Sequence, residues 1–228
     1  MQGKNNFTCK EMLSALQNAN SILLCTHISP DGDAIGSTLA MGLALEAMGK
    51  QVTLACHHPV PEYLDFLPGK QLFVLPETLV GKFFDAALAI DCADLGRMGD
   101  CRVYYQGTAL QLQIDHHPTN PLYAHMNLVD GDASASGCIV MRVLNALNIP
   151  LTAEMAMCLY AAISTDTGNF CFKNTNAEAF ACAAMLIDAG LDINDCARRL
   201  HLLRQQAHVR LLGRALCSLH IFGNGKCP

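Results

Sequence analysis

The sequence lacks the features that place many chains in a functional class at once. No apolar run approaches the roughly 18 residues of a membrane-spanning helix, so no membrane association is expected. The N-terminal stretch MQGKNNFTCKEML is too polar for a secretory signal. Neither a G-x-S-x-G nucleophile elbow nor a G-x-x-x-x-G-K phosphate loop occurs, which argues against a serine hydrolase and a P-loop NTPase.

Positive charge is also scarce. The chain has 15 lysines and arginines against 20 acidic residues, for a formal net charge of −5, and the basic residues form no long run. Binding of long duplex nucleic acid requires a basic surface, so this partner is not expected. A short RNA or a small nucleotide fits the charge balance better.

Cysteine is abundant, with 12 residues, but no two of them form a C-x-x-C pair. Most lie inside apolar segments, as Cys138 and Cys158 do. We interpret them as reduced thiols packed in the core of a cytoplasmic protein rather than as a disulfide framework. Cys25 and Cys92 stand next to the acidic motifs described below, where oxidation would reach the site.

Apolar runs alternate with helical patterns, and neither an internal repeat nor a low-complexity linker interrupts them. This alternation predicts an α/β fold: a doubly wound, mainly parallel sheet of about five strands with helices on both faces. The expected strands are 21–26, 51–56, 71–75, 83–90 and 109–114, with an additional edge strand at 123–129. The expected helices are 8–18, 34–48, 134–147, 152–164, 176–189 and a long amphipathic helix at about 195–219.

This pattern also predicts the organisation of the chain. Residues 1–190 would form the main domain, and the long helix that follows has an apolar stripe that favours self-association, for example as a homodimer. The turn signal Gly-Asn-Gly-Lys then predicts that residues 223–228 begin a second domain.

Four short motifs rich in aspartate and histidine carry most of the chemistry. They are His27–Asp33 (HISPDGD), Asp91–Asp94 (DCAD), Asp115–His117 (DHH) and Ser164–Gly168 (STDTG). The first three follow apolar strands and the fourth follows an apolar helix. Because open α/β sheets build their sites at the carboxyl ends of the strands, we expect these side chains to converge at one rim. Pro30 and Gly32 are expected to keep the first motif in a turn.

Grouped carboxylates repel one another at neutral pH unless cations lie between them. A single aspartate at a strand end is more often a helix cap, but four such motifs at successive positions favour metal binding. The candidate ligands are oxygen and nitrogen donors without a thiolate, which suits Mn²⁺ or Mg²⁺ rather than structural zinc. Six such donors are spread over the four motifs. Six ligands are too many for one site, so we expect two ions about 3.5–4 Å apart and a phosphate-ester hydrolase.

The motifs HISPDGDAIGS, DCADLGRMG, IDHH and STDTGNFCFKNT, in this order and spacing, resemble those of the DHH phosphoesterase superfamily. The chain is most similar to the bacterial oligoribonuclease and pAp-phosphatase branch, in which stretches like PVPEYLDFLPG also occur. The resemblance covers about residues 20–190. It implies a hydrolase that releases 5′-mononucleotides from very short RNA and removes the 3′-phosphate of pAp.

The resemblance also implies a role for each motif residue. Two manganese ions would be bound, with Mg²⁺ or Co²⁺ as possible substitutes. His27, Asp31 and Asp91 would hold one ion; the second would be held by Asp33, Asp91, His116 and Asp166, with Asp91 bridging. His117 would face the phosphate, and Asp115 would contact the ligand residues without binding a metal ion itself.

In this branch a C-terminal DHHA1 domain follows a linker helix and binds the nucleotide with a glycine-rich motif. The resemblance implies that residues 191–222 are this linker helix; alternatively, they form a packed terminal helix. The absence of the DHHA1 domain from this sequence predicts weaker substrate binding.

Several residues near the motifs have more than one interpretation. Arg97 and Lys173 could neutralise substrate phosphate or be ordinary surface charges. Ser134 and Ser136 are expected to cap the following helix rather than bind substrate. The pair His57-His58 is expected to be surface.

Alternative functions remain open at this point: a cyclic dinucleotide phosphodiesterase, a RecJ-like exonuclease, a family II pyrophosphatase, or a non-catalytic metal-binding module.

Overall fold

Short apolar segments pair into a six-stranded sheet in the computed structural model, which describes residues 6–219. The strands are β1 (Ser21–Cys25), β2 (Gln51–Ala55), β3 (Phe73–Val74), β4 (Ala86–Ile90), β5 (Leu110–Asp115) and β6 (Met126–Val129). Their order is β3-β2-β1-β4-β5-β6, and every neighbouring pair is parallel. The α/β class is therefore confirmed, with six strands rather than about five because the predicted edge strand, β6, joins the sheet.

Eight α-helices accompany these strands within residues 6–219. They are α1 (Cys9–Asn18), α2 (Gly32–Ala47), α3 (Cys101–Gly107), α4 (Ser136–Ala146), α5 (Ala153–Asp166), α6 (Ala177–Asp188), α7 (Ile193–Ala197) and α8 (Gln206–Cys217). A π-helical turn, Arg198–Leu202, follows α7. A capping box begins α1, with reciprocal hydrogen bonds between Thr8 and Glu11.

Alternate residues of the buried strands face two separate cores. Ile22 and Leu24 of β1 pack in the larger core, beneath a layer formed chiefly by α2, α4 and α5. Leu23 and Cys25 point to the opposite face, where a smaller core is closed by α3. Helices thus cover both faces of the sheet, as expected, but the two layers are very unequal.

The packing of α2 against α5 depends on the absence of a side chain at Gly36. A Cβ built at this position would overlap the carbonyl oxygen of Cys158. Gly32, at the start of α2, is enclosed in the same way by the side chain of Thr165. The close approach of these two helices brings the first acidic motif beside the fourth.

Three expectations about helices are wrong. The segment His27–Asp33 is not a turn throughout, because α2 begins at Gly32 with the Asp31 carboxylate accepting from the Ala34 N–H at 3.0 Å. Helix α3 was not predicted.

The long helix at 195–219 is interrupted, since residues 203–205 separate the π-helical turn from α8. The expected linker helix at 191–222 is therefore divided into several pieces. Residues 220–222 and the expected start of a second domain at 223–228 lie outside the described residues.

The order of the strands defines where a site can form. The chain runs from β1 outward to β3 and then crosses back to place β4 on the other side of β1. The carboxyl ends of β1 and β4 are adjacent at this switch, and crevices at such points are the usual binding sites of open α/β sheets. Within residues 6–219, no helix has the length and apolarity needed to cross a bilayer.

Candidate metal centre

The first ligand group lies at the ends of β1 and β4. His27 and Asp91 are both buried, and the Nε2 atom of His27 lies 3.5 Å from Oδ2 of Asp91. The same nitrogen lies 3.8 Å from Oδ1 of Asp31 at the start of α2. The other ring nitrogen of His27, Nδ1, is 2.8 Å from the Ile28 carbonyl oxygen. A proton on Nδ1 would donate to this carbonyl and leave Nε2 free as a ligand.

The second ligand group surrounds His116, which follows β5. Its Nε2 atom lies 3.7 Å from Oδ2 of Asp33 and 3.7 Å from Oδ2 of Asp166. Asp33 is in the first turn of α2, and Asp166 is the last residue of α5. Asp166 was expected in a turn after the helix, and the structure instead continues the helix through it.

Asp91 belongs to both groups. Its Oδ2 faces His27, while its Oδ1 lies 3.6 Å from the Nε2 atom of His116. The backbone of Asp91 is left-handed, with φ of 55°, immediately after β4 ends. This conformation is uncommon for a residue other than glycine and is concentrated at functional sites. It turns one carboxylate toward both ligand groups.

The spacing of these atoms fits divalent cations. Separations of 3.5 to 3.8 Å between the ring nitrogens and the carboxylate oxygens are too long for hydrogen bonds. Ligands each about 2.1 Å from one ion stand roughly 3.0–3.5 Å apart, so the groups need only a small contraction to share an ion. The ligand atoms within each triplet, His27–Asp31–Asp91 and Asp33–His116–Asp166, all lie within 4.8 Å of one another.

Burial and like charge make this arrangement costly without cations. Burial, and then the nearby Asp91 and Asp166 carboxylates, raise the pKa of Asp33 well above its ordinary value. The pKa of Asp166 is raised to about 6, again first by burial, with the Asp91 charge contributing. Burial lowers the pKa of His27, but the Asp31 and Asp91 carboxylates outweigh it and raise the value to about 10. A metal ion would displace protons from these groups.

The Asp33 side chain is held by the N-terminus of α4, a contact that the sequence does not predict. Its Oδ2 accepts from the backbone N–H of Ser136 at 2.7 Å, and its Oδ1 from that of Gly137 at 3.0 Å, at the start of α4. The Ser37 hydroxyl donates to Oδ1 at 2.8 Å. The Asp33 carboxylate, which belongs to α2, therefore caps the N-terminus of α4. These hydrogen bonds orient the carboxylate toward His116 and favour its charged form.

The capping roles expected for Ser134 and Ser136 are wrong. The residue before α4 is Ala135, which has no side chain able to cap. The Ser136 hydroxyl donates instead to Oδ1 of Asp91 at 2.9 Å, which orients the shared carboxylate. Ser134 donates to the Asn174 carbonyl oxygen at 2.6 Å, and Asn174 Nδ2 donates to Oδ2 of Asp166 at 3.2 Å. Sequence reasoning missed Ser136 and Asn174 because nothing local points to partners so distant in the chain.

His117 occupies a different environment from His116. Its Nδ1 lies 2.7 Å from Oδ1 of Asp115, a fully buried carboxylate that also accepts from Asn120 Nδ2. This hydrogen bond to Asp115 is the main cause of the raised pKa of His117. The ring also lies 3.9 Å from Asp91, and the triplet Asp91–His116–His117 could itself hold an ion.

The two candidate phosphate-binding cations are placed very differently. Half-buried Arg97 brings its guanidinium nitrogen to 3.3 Å from Nδ1 of His27, and its carbonyl oxygen accepts from the Ile28 N–H at 2.6 Å. Lys173 is exposed and forms no hydrogen bond or ion pair within residues 6–219. The structure thus brings Arg97 to the ligand groups and leaves Lys173 without a contact to them.

The pair His57-His58 lies at the surface, as expected, with His58 exposed and His57 half-buried, and both rings also accept hydrogen bonds. Nδ1 of His58 accepts from the backbone N–H of Ser29 at 2.9 Å, within the first motif. Nδ1 of His57 accepts from the Asp100 N–H at 3.2 Å, in the loop that follows Arg97. Both histidines therefore hold loops that carry site residues.

The cysteines within the described part of the chain are free thiols, 11 in number. Cys92 is buried next to Asp91 in the chain, but its thiol donates to the Asp94 carbonyl oxygen at 3.2 Å. No cysteine takes part in the ligand triplets found within residues 6–219. The donor set is therefore one of carboxylates and imidazoles, as expected.

Comparison with known proteins agrees with this geometry. The sequence matches the DHH family, N-terminal domain, over residues 21–163, which is more than half of the chain. The protein therefore belongs to the DHH family.

Two curated relatives match most of the chain. It is 35% identical to the bifunctional oligoribonuclease and PAP phosphatase NrnA of Thermus thermophilus, over 92% of this chain and 61% of that protein. It is 28% identical to the NrnA of Bacillus subtilis, over 84% of this chain and 60% of that protein. The chain thus spans about three fifths of the length of these relatives.

A solved structure shares the fold. An exopolyphosphatase-related protein from Bacteroides fragilis superposes with a TM-score of 0.87 at 24% identity, covering 94% of this chain and 66% of that one. At this identity the likeness concerns the fold alone.

Proposed function

We propose that this domain is the catalytic part of a phosphoesterase that hydrolyses short oligoribonucleotides to 5′-mononucleotides and removes the 3′-phosphate of pAp. The observation that carries the proposal is the position of Asp91, whose two carboxylate oxygens face two separate ligand groups. The names of the two curated relatives support the substrate class.

The proposed cofactor is a pair of Mn²⁺ ions, with Mg²⁺ or Co²⁺ as substitutes. One would be held by His27, Asp31 and Asp91, and the other by Asp33, Asp91, His116 and Asp166, because these atoms already stand at ligand separations. When bound, the ions would neutralise phosphate charge and lower the pKa of water in the site.

The remaining residues support binding and proton transfer. The Asp115 carboxylate holds the His117 ring and raises its pKa, so an imidazolium is favoured at this position. We propose that this cation faces the scissile phosphate and stabilises its developing negative charge. Arg97, beside His27, adds a second positive charge at the same rim.

The cysteines and the exposed face of α8 support two further proposals, on the cellular compartment and on self-association. The free, mostly buried thiols favour a reducing compartment, and we propose that the protein is cytoplasmic. The exposed apolar residues of α8, such as Val209 and Leu212, are available for self-association.

A substrate panel tests the proposal. The protein, loaded with Mn²⁺, would be assayed on pAp, a diribonucleotide, cyclic di-AMP and pyrophosphate. Release of mononucleotide from the dinucleotide or of phosphate from pAp, well above the other two substrates, is expected. Faster turnover of cyclic di-AMP or pyrophosphate would contradict the proposed substrate class, and no turnover of any substrate by the metal-loaded protein would favour the non-catalytic alternative.

A further inference from the structure

Charge is divided unevenly along the chain. No acidic residue follows Asp195, whereas five arginines lie between positions 198 and 214. The metal centre consists mainly of carboxylates, so the two regions carry opposite charge. A segment of this kind is unusual in a chain whose net charge is −5. It is the one concentration of positive charge suited to a polyanion.

This basic segment forms one wall of a groove of about 910 Å³. The other wall is the short 3₁₀ turn Glu62–Leu64 and the residues that follow it. A hydrogen bond of 2.7 Å from Gln205 Nε2 to Glu62 Oε2 joins the two walls. The groove is therefore a feature of the folded chain rather than a gap between unrelated surfaces.

Tyr63 connects this groove to the metal centre. Its ring lines the groove and is 47% exposed. Its hydroxyl lies near the Gly32 backbone and the Asp31 carboxylate, at the start of α2. Because Asp31 belongs to the first ligand group, the same side chain borders both the groove and that group.

The groove presents aromatic rings and a free cation together. The Arg199 guanidinium, which is paired with Asp195, lies over the Phe66 ring at 5.6 Å and forms a flat surface beside Tyr63. The side chains of Arg204 and His208 line the same groove and form no ion pair or hydrogen bond within residues 6–219. Of the groove carboxylates, Asp65 is paired with Lys70 and Glu62 accepts from Gln205. The groove therefore offers stacking surfaces beside the unpaired guanidinium of Arg204.

We infer that this groove binds the nucleotides that lie beyond the scissile phosphate in a single-stranded oligoribonucleotide. Bases would stack on Tyr63 and on the Phe66–Arg199 pair, and backbone phosphates would contact Arg204 and His208. Stacking platforms flanked by cations are the general means by which proteins hold single strands without reading sequence. The inference rests on the proposed function, and it adds a length dependence, because a longer oligonucleotide has more nucleotides beyond the scissile phosphate to contact the groove than pAp or a dinucleotide has.

The test compares two substitutions in the same basic segment. Arg204→Gln removes a charge from the groove, and Arg210→Gln removes an equally exposed charge that does not line it. We expect Arg204→Gln to lower kcat/KM for a pentaribonucleotide about fivefold, the scale of one lost phosphate contact, and to change pAp and dinucleotide hydrolysis less than about twofold. Arg210→Gln should leave all three substrates within about twofold.

Salt dependence gives a second readout. Binding of a labelled pentaribonucleotide would be followed by anisotropy in an Asp91→Asn background, with and without Arg204→Gln. Each phosphate contact on a single strand contributes about 0.7 to the slope of log affinity against log salt, so Arg204→Gln should reduce the slope by up to about 0.7. Asparagine, like aspartate, tolerates the left-handed backbone at position 91.

The outcomes separate this inference from the proposed function. If the protein hydrolyses a dinucleotide while Arg204→Gln leaves pentanucleotide turnover and binding unchanged, the groove assignment is wrong and the function stands. Equal losses of kcat/KM for pAp and for the pentanucleotide would also overturn the groove assignment, because the substitution would then act on the metal centre. If no substrate is hydrolysed but pentanucleotide binding depends on Arg204 and not on Arg210, the groove assignment stands and the proposed activity is wrong.

Discussion

The metal-ligand rim and the basic C-terminal segment are built in opposite ways. At the rim, Asp33 and Asp91 are 1% and 2% exposed, and each is held by hydrogen bonds from α4. In the basic segment every residue from 202 to 217 is exposed, and α8 buries none of its side chains. The rim can thus hold atoms in fixed positions, whereas the segment can change without disturbing the core. The catalysed reaction would then depend on the metal-ligand rim, and the preferred length of the substrate on the basic segment.

The largest expected effect is at the shared ligand. Asp91→Asn removes the charge common to both groups and should lower turnover by about 10³-fold or more. It also removes a charge that raises the pKa of Asp33 and a carboxylate that favours the protonated form of His27, so these effects oppose each other and the Tm of the metal-free variant should stay within a few degrees of the metal-free parent. Turnover and thermal unfolding would be measured together. A variant that retains substantial turnover would show that Asp91 does not serve both groups.

A smaller loss is expected at His117. His117→Gln should lower kcat by about 10²-fold, the scale of one lost stabiliser of transition-state charge, while metal content stays unchanged. Metal analysis decides between its two possible roles, because the ring also lies within reach of Asp91 and His116. Loss of an ion in this variant would make His117 a ligand instead of a phosphate-facing residue.

Metal withdrawal should have an effect on stability that grows with pH. The raised pKa values of Asp33, Asp166 and His27 mean that the metal-free folded chain binds more protons than the unfolded chain between about pH 5.5 and pH 8. Its stability therefore falls as pH rises through this window. The difference in Tm between metal-loaded and chelated protein should be several degrees larger at about pH 8 than at about pH 5.5.

Calorimetry in buffers of different ionisation enthalpy checks the same idea. Binding of Mn²⁺ near neutral pH should release protons, since His27 must give up its proton to act as a ligand. Proton uptake, or a Tm difference that shrinks with rising pH, would contradict the assignment of these ligands.

The smallest effect is expected in the basic segment. Val209 on α8 is 55% exposed, so Val209→Ser should change the free energy of unfolding by less than about 0.5 kcal/mol. Leu88 in β4 is fully buried, and Leu88→Ala should cost about 2–5 kcal/mol. Chemical denaturation of both variants measures the contrast. A cost at Val209 comparable to that at Leu88 would mean that α8 packs against a surface, for example a second copy of the chain.

The sequence predicts the central elements well because they are chemically simple. Strands β1, β4 and β5 are short apolar runs that end at acidic or histidine motifs, so both their positions and the meeting of those motifs at one rim could be inferred. Helix α3 was missed because its sequence, CRVYYQG, has aromatic residues typical of strands, and Asp100 before it makes no side-chain cap. Periodicity also continues across residues 203–205, although the helix does not.

The supporting contacts could not be inferred from the sequence. Ser136 precedes an apolar helix, which is the usual signature of a cap, and only the fold shows that its hydroxyl reaches Asp91. Gly32 was explained as allowing a tight turn. The structure instead shows that it makes room for Thr165, a residue far away in the sequence. Both errors have the same cause: local rules assign local partners, and these residues have distant ones.

The contact between Asp33 and the start of α4 has a consequence for how the chain folds. It joins residues more than 100 positions apart, and the ligand groups combine side chains from both sides of the strand crossing. Contacts of such long range form late, because the intervening chain must close first. A chain that has paired only β1 to β3 has His27, Asp31 and Asp33 in place but lacks Asp91, His116 and Asp166. Tight metal binding would therefore report that the whole sheet has assembled, and metal added during refolding should slow unfolding more than it speeds folding.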